Sequence, residues 1–209
     1  LLIGLLRELG IDPDTLFTGE GHAPMVLSDA ERAAGRAPDD AEARDLPDWL
    51  WPHFEMSLGA SAEGAAEMLR HRAPVMLRVN SRRGTVAEAQ AQLASEGIDT
   101  TSADIAKTAL QVISGERKIA GSVAYADGLV ELQDGSSQAA MEALEVAEGA
   151  RVLDYCAGGG GKVLALAALA DAAWYAHDIA PQRMNDLSAR AKRAGVDVTR
   201  LETGAIARA

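Results

Sequence analysis

Cysteine is almost absent from this sequence: Cys156 stands alone among 209 residues. A single thiol excludes an internal disulfide and suits the reducing cytoplasm. Aromatic residues are scarce too, with two Phe, three Trp and three Tyr, so any packed core must rest on Ala, Leu and Val. The four histidines, His22, His53, His71 and His177, lie far apart and lack metal-ligand spacing, which argues against a zinc site. No apolar run is long enough to span a bilayer. Leu1 to Gly10 is the nearest, and Arg7 and Glu8 interrupt it. No basic segment precedes that run, so it does not read as a secretory signal. It predicts an amphipathic helix cut from a longer N-terminal region.

What is present centres on Val152-Leu153-Asp154-Tyr155-Cys156-Ala157-Gly158-Gly159-Gly160-Gly161-Lys162. A short apolar run ends in an acid, passes into four glycines, and is followed by the alanine-rich stretch Val163 to Ala170. That order predicts strand, tight loop and helix, the first half of a nucleotide-binding α/β unit. Glycines there let the backbone take positive φ and let a ligand lie against its N–H groups. A second strand pattern, Ala172 to His177, closes on Asp178, and an acid in that place commonly takes ribose hydroxyls. A Walker A loop is excluded, because Cys156 and Val163 occupy the places of its first glycine and its Ser or Thr. Asp154, just ahead of the glycines, suits S-adenosylmethionine, which has no pyrophosphate to repel. The bland alternative is a tight strand-to-helix turn that holds no ligand.

The loop Asp154 to Lys162 resembles the DxCAAPGGK cofactor loop of the Fmu/Sun family of ribosomal-RNA cytosine 5-methyltransferases. Leu77-Arg78-Val79-Asn80 resembles that family's LRVN strand, Gln133-Asp134-Gly135-Ser136-Ser137-Gln138 its QDxxSQ segment, and Pro47-Asp48-Trp49-Leu50 its PxWL helix start. The resemblance covers about residues 46–195. It implies that Asp154, Cys156, Ala157, Gly158, Gly159, Gly160, Gly161 and Lys162 wrap the methionine and ribose end of S-adenosylmethionine. Asp178 would take the ribose hydroxyls, and Arg183 would sit over the adenosine or the RNA backbone. Gly158-Gly159 replaces Ala-Pro and Val163 replaces a usual Thr, and the first change predicts a looser loop. An acid expected near the third core strand is represented only by Glu202, with Thr203 and Gly204 after it.

Making 5-methylcytosine needs a thiolate to attack carbon 6 of the base. The family resemblance places that thiol, and a second one that helps product release, in motifs well beyond the cofactor loop, past Ala209. Cys156 matches neither. It reads as a pocket residue and a small buried hydrophobe at a strand end. The resemblance thus implies no catalytic group among these residues, and the histidine spacing implies no metal. His177 beside Asp178 reads as a packing or hydrogen-bonding residue rather than an acid–base catalyst.

The net charge of −11 argues against an RNA partner until its distribution is considered. Residues 1–45 carry −6, residues 46–149 carry −7 and residues 150–209 carry +2. Met68 to Ala87 contains no acid and five arginines, Arg70, Arg72, Arg78, Arg82 and Arg83. Local clusters, not totals, bind phosphates. Arg82-Arg83-Gly84 follows a strand, so Arg78, Arg82 and Arg83 are the expected RNA contacts. A second basic set, Arg183, Arg190, Lys192, Arg193 and Arg200, reads as RNA contact or as an ordinary solvated face.

The expected fold class is α/β: the front half of a Rossmann-like class I methyltransferase core (150–209), preceded by a small RRM-like α/β segment (46–149) and a helical N-terminal remnant with linker (1–45). Within it we expect helices over 47–59 and 61–72, a strand over 75–80, a helix over 85–95 and strands near 110–113 and 129–132. A helix near 137–144, core strands over 152–154, 172–177 and 196–201, and core helices over 161–170 and 181–194 complete the pattern. Ala37-Pro38-Asp39-Asp40 reads as a linker. The function this implies is methyl transfer from S-adenosylmethionine to carbon 5 of a cytosine in ribosomal RNA, by a cytoplasmic monomer. The alternative is a non-catalytic RNA-binding or ribosome-assembly module that keeps the cofactor fold. An unrelated small-molecule methyltransferase would not need the LRVN-like and QDxxSQ-like segments.

Overall fold

A computed structural model describes residues 2–36, 38 and 40–204. Leu1, the linker residues Ala37 and Asp39, and 205–209 lie outside the described residues. By contacts the chain divides into two compact units, Leu1–Ala73 and Pro74–Ala209.

The first unit is helical: α1 (Leu2–Glu8), α2 (Asp29–Ala34), α3 (Asp40–Arg44), α4 (Trp51–Leu58) and α5 (Ala62–Arg70). Ser28 and Glu31 close α2 with a reciprocal capping box. The expected helix from Pro47 starts later, because Pro47 only accepts the Leu50 amide in a turn. Pro52, with no N–H to satisfy, falls in the first turn of α4. Few large side chains are buried here, so polar bonds add much of the order. Arg44 stacks 4.2 Å over the Trp51 ring and pairs with Glu63 at 3.0 Å.

The second unit holds two sheets. The first contains β1 (Met76–Val79), β2 (Asp99–Ser102), β3 (Ala109–Ser114) and β4 (Val130–Leu132), with α6 (Val86–Ser95) and α7 (Val123–Ala126) as its crossovers. Its antiparallel order β2-β3-β1-β4 is the ferredoxin-like split βαβ arrangement. Thr85 and Glu88 cap α6 reciprocally. The sheet buries Leu77, Val79, Leu110 and Val130 against Leu93, Ile98 and Ile119, each worth about 1.5–3 kcal/mol in transfer terms. β2 was not anticipated: Asp99-Thr100-Thr101-Ser102 is polar throughout and lies at the sheet edge, where no alternation is needed.

α8 (Gly135–Glu142), capped by Asp134, leads to the second sheet. There β5 (Arg151–Asp154), β6 (Ala173–Ala176) and β7 (Val198–Arg200) run parallel in that order, joined through α9 (Gly161–Leu169) and α10 (Leu187–Ala194). This is the doubly wound, Rossmann-like pattern. α9 is buried on most sides, with Val163, Leu164 and Leu166 packed against Trp174, Met184 and Leu187. The helix expected over 181–194 is split into a 3-10 turn at Pro181–Met184 and α10 from Leu187. The expected mixed α/β architecture is present. No helix among the described residues is long and apolar enough to cross a membrane.

Candidate cofactor-binding site

β5 and β6 are parallel neighbours, with Asp154 opposite Ala176. The turns leaving their carboxyl ends therefore emerge side by side, the usual place for a ligand in such sheets. Within the first turn, Gly158 (φ 50°) and Gly160 (φ 81°) take left-handed conformations that side chains resist. A Cβ on Gly160 would collide with the Leu187 side chain. On Gly158 it would meet only an Arg183 nitrogen at 3.9 Å, so that face of the loop is open. The loop closes on itself through Gly160 N–H to Ala157 O at 2.8 Å, and is tied to β6 by Ala157 N–H to His177 O at 2.9 Å.

Asp178 follows β6 and is 2% exposed. Its Oδ1 accepts the Ala180 amide and its Oδ2 the Gly158 amide, each at 3.0 Å. Arg183 Nη1 lies 3.7 Å from Oδ2. The Ala180 amide above all, helped by Gly158, Arg183 and His177, holds this carboxyl below the ordinary Asp value despite burial. Each oxygen keeps a lone pair for a further donor. Asp154 behaves oppositely: burial raises its carboxyl above the ordinary value, opposed by the Val163 and Cys156 amides and by Lys162. Its Oδ2 accepts the Val163 amide at 3.3 Å.

The residues expected to hold the cofactor, Asp154, Cys156 to Lys162, Asp178 and Arg183, thus gather around these two turns. Lys162 and Arg183 are exposed. Cys156 is exposed as well, which corrects the expectation of a buried hydrophobe: the strand ends at Asp154, and the chain turns outward before Ala157 is buried. His177 is a buried hydrogen-bonding residue, Nδ1 to Tyr155 O at 2.9 Å and Nε2 to Thr203 Oγ1 at 3.0 Å. Thr203 thus meets His177, while Glu202 faces solvent. Sequence reasoning did not mark Ile179, which is 84% exposed immediately after Asp178.

The arginine segment is arranged differently from expectation. Arg78 is 3% exposed, and its Nε donates to Gln133 Oε1 at 2.7 Å. Burial, partly offset by Glu131, lowers its pKa to about 10, so it stays charged but cannot reach a phosphate. Arg82 closes the C-terminal end of α9, donating to the carbonyls of Ala167 and Ala170 and to Asp171. Cations are favoured at that end of a helix. Beside it, Ser81 Oγ donates to Ala168 O at 2.6 Å, and Asn80 Nδ2 to Ala194 O at 2.9 Å. The loop after the LRVN strand therefore staples the ferredoxin-like sheet to the ends of α9 and α10, and Arg82 serves that staple. Arg83 donates to Arg193 O at 3.0 Å but remains exposed, on an open cleft of about 770 Å³ that it shares with Asp127, Lys192 and Arg193. Among the described residues no group of three or more His, Cys, Asp or Glu is placed to hold a metal.

Comparison with known proteins agrees with the fold. Residues 46–117 match a family model described as the RsmF/B-like methyltransferase ferredoxin-like domain. The chain is 34% identical over 142 residues to a ribosomal RNA small subunit methyltransferase B of Xanthomonas campestris, covering 68% of this chain and 32% of that protein. This chain belongs to the Fmu/Sun family. A probable ribosomal RNA small subunit methyltransferase B of Bacillus subtilis is 36% identical over 126 residues, 59% of this chain and 27% of its own length. The chain thus spans about a third of the curated relatives it matches. A crystal structure of a methyltransferase homologue from Pyrococcus horikoshii shares the fold, with TM-score 0.70 and 24% identity over 86% of this chain and 58% of that one.

Proposed function

We propose that this chain is the cofactor-binding part of an enzyme that transfers a methyl group from S-adenosylmethionine to carbon 5 of a cytosine in ribosomal RNA. The observation that carries the cofactor reading is the buried Asp178 joined to the Gly158 amide. It places an ionised acid, with lone pairs to spare, beside an open glycine backbone. The residues fit the cofactor. Asp178 would accept the ribose hydroxyls, Ile179 would offer an apolar face to the adenine, and the loop of Gly158 to Lys162 would follow the methionine end. Asp154 would face the sulfonium side, and Arg183 would lie over the adenosine. When bound, S-adenosylmethionine supplies an electrophilic methyl group. This chain's own part is to bind and orient it, and Cys156 takes no part as a nucleophile, the attacking thiol lying elsewhere in the enzyme.

The ribosomal-RNA reading is supported by the names of the relatives and by the ferredoxin-like unit beside the core. RNA phosphates would meet the basic side chains at the cleft of Arg83 and Lys192 rather than at the buried Arg78 or at Arg82, which is bonded to the end of α9. We also propose the division 1–45, 46–149 and 150–209 as helical, RNA-facing and cofactor-binding parts, in a cytoplasmic monomer. The test is transfer of labelled methyl groups by the full-length protein to unmethylated small-subunit rRNA, with nucleoside analysis of the product. The expected product is 5-methylcytosine; a label on another base or position would overturn the assignment.

A further inference from the structure

Two carbonyls of the cofactor loop are held by side chains from α10 and from the segment after β4. Gly159 O accepts Arg190 Nη1 at 2.6 Å, and Gly161 O accepts Gln133 Nε2 at 3.0 Å. Both holders are anchored on the antiparallel sheet. Arg190 Nη2 donates to Glu131 Oε2 at 2.8 Å, while Gln133 Oε1 accepts Arg78 Nε at 2.7 Å. Arg78 and Glu131 are themselves direct partners across β1 and β4. Arg193 completes the set, donating to Glu131 Oε1 with its guanidinium 4.4 Å over the Tyr125 ring. Glu131, 3% exposed, is thus the acid shared by Arg190 and Arg193, with Arg78 opposite it in the sheet.

We infer that Glu131 is a positioning residue for the cofactor loop, acting through Arg190. A guanidinium is planar, so pinning one amino group on Glu131 fixes the direction in which the other meets Gly159. The loop needs such a hold. Gly158-Gly159 stands where the family pattern has Ala-Pro, and glycine lacks proline's restriction of φ. Rotation of the Gly159 peptide would turn the amides that line the open face away from a ligand. The ferredoxin-like sheet therefore stiffens the loop that the local sequence leaves free, so the two halves of this unit act together. The inference rests on the cofactor reading for its consequence, though not for the structural coupling.

The test uses Arg190→Met, which removes the loop contact and leaves Glu131 paired with Arg193, together with Glu131→Gln. In the ligand-free chain, amide hydrogen exchange across residues 158–162 should quicken by roughly tenfold, with β1 and β6 unchanged. Affinity for S-adenosylhomocysteine, read by calorimetry, should fall by a similar factor. Adding Gly159→Pro to Arg190→Met should restore affinity, because proline supplies the restraint directly and the Arg190 tip that a Cβ would crowd at 2.7 Å is gone. A merely structural arginine would not be rescued this way. If a variant fails to fold, Arg190→Lys gives the milder comparison, keeping one cation on Glu131 without the second arm. Unchanged loop exchange in folded variants overturns the inference, as does exchange that rises evenly through the chain with no rescue by proline. Faster loop exchange in the variants, with no binding of S-adenosylhomocysteine by the wild-type chain, overturns the cofactor reading and leaves the coupling standing.

Discussion

The Gly158 amide donates to the Asp178 carboxylate at 3.0 Å, joining the turn after β5 to the turn after β6. Neither residue can be moved alone. The bond keeps a glycine in a left-handed conformation over a buried acid, and the acid in turn sets where a ribose would rest.

The glycine run is not uniform, so its members should respond differently to a methyl group. Gly160→Ala faces a left-handed φ and a collision with Leu187, and should cost about 2–4 kcal/mol in urea unfolding. Gly161 has no positive φ, and a Cβ there meets only Gln133 at 3.7 Å. Gly161→Ala should change the midpoint little. Equal losses at the two positions would contradict the loop geometry.

Arg82→Ala should lower stability by about 1–3 kcal/mol, because the carbonyls ending α9 lose their cation. Its salt slope for RNA binding should match wild type. Lys192→Ala should instead leave stability intact and flatten that slope by about 0.7 for single-stranded RNA. A reversed pattern in a salt series would return RNA contact to the Arg82 loop.

The two acids of the site should titrate in opposite directions. Asp178 is held below the ordinary Asp value by amide bonds. Its stabilisation is complete above that ordinary value and is lost as the pH falls through the depressed one. Asp154 is raised by burial, so the native state takes up its proton first, and this group costs stability as the pH climbs from the ordinary value through the raised one. Carboxyl carbon NMR should find Asp154 titrating above Asp178. The opposite order would refute the assigned environments.

Cys156→Ser in the full-length enzyme should still form a covalent adduct with RNA containing 5-fluorocytosine, at saturating cofactor. The thiol is exposed on the cofactor turn, where the proposal assigns it no bond to the base. Loss of the adduct in a folded variant would make it the nucleophile.

Much of the fold was legible because its signals are local. The apolar run into Asp154, the glycines and the second run into Asp178 mark two parallel strands and their turns without knowledge of their partners. The capping pair Thr85 and Glu88 likewise marks the start of α6. What escaped depends on distant partners. An arginine after a strand looks the same whether it faces solvent or a helix end 85 residues away, as Arg82 does at Ala167. Glu131 and Arg190 sit in unrelated segments and meet only when the two sheets pack. β2, polar along its whole length, has no periodicity to read, and its pairing with β3 alone makes it a strand.

The central claim is that the Asp178 turn and the glycine loop bind S-adenosylmethionine, and calorimetric titration of wild type and Asp178→Ala tests it most directly. The account predicts that wild type binds S-adenosylmethionine or S-adenosylhomocysteine and that the variant binds roughly ten- to hundredfold more weakly. Equal affinity in the two proteins, or no binding by a folded wild-type chain, would contradict it.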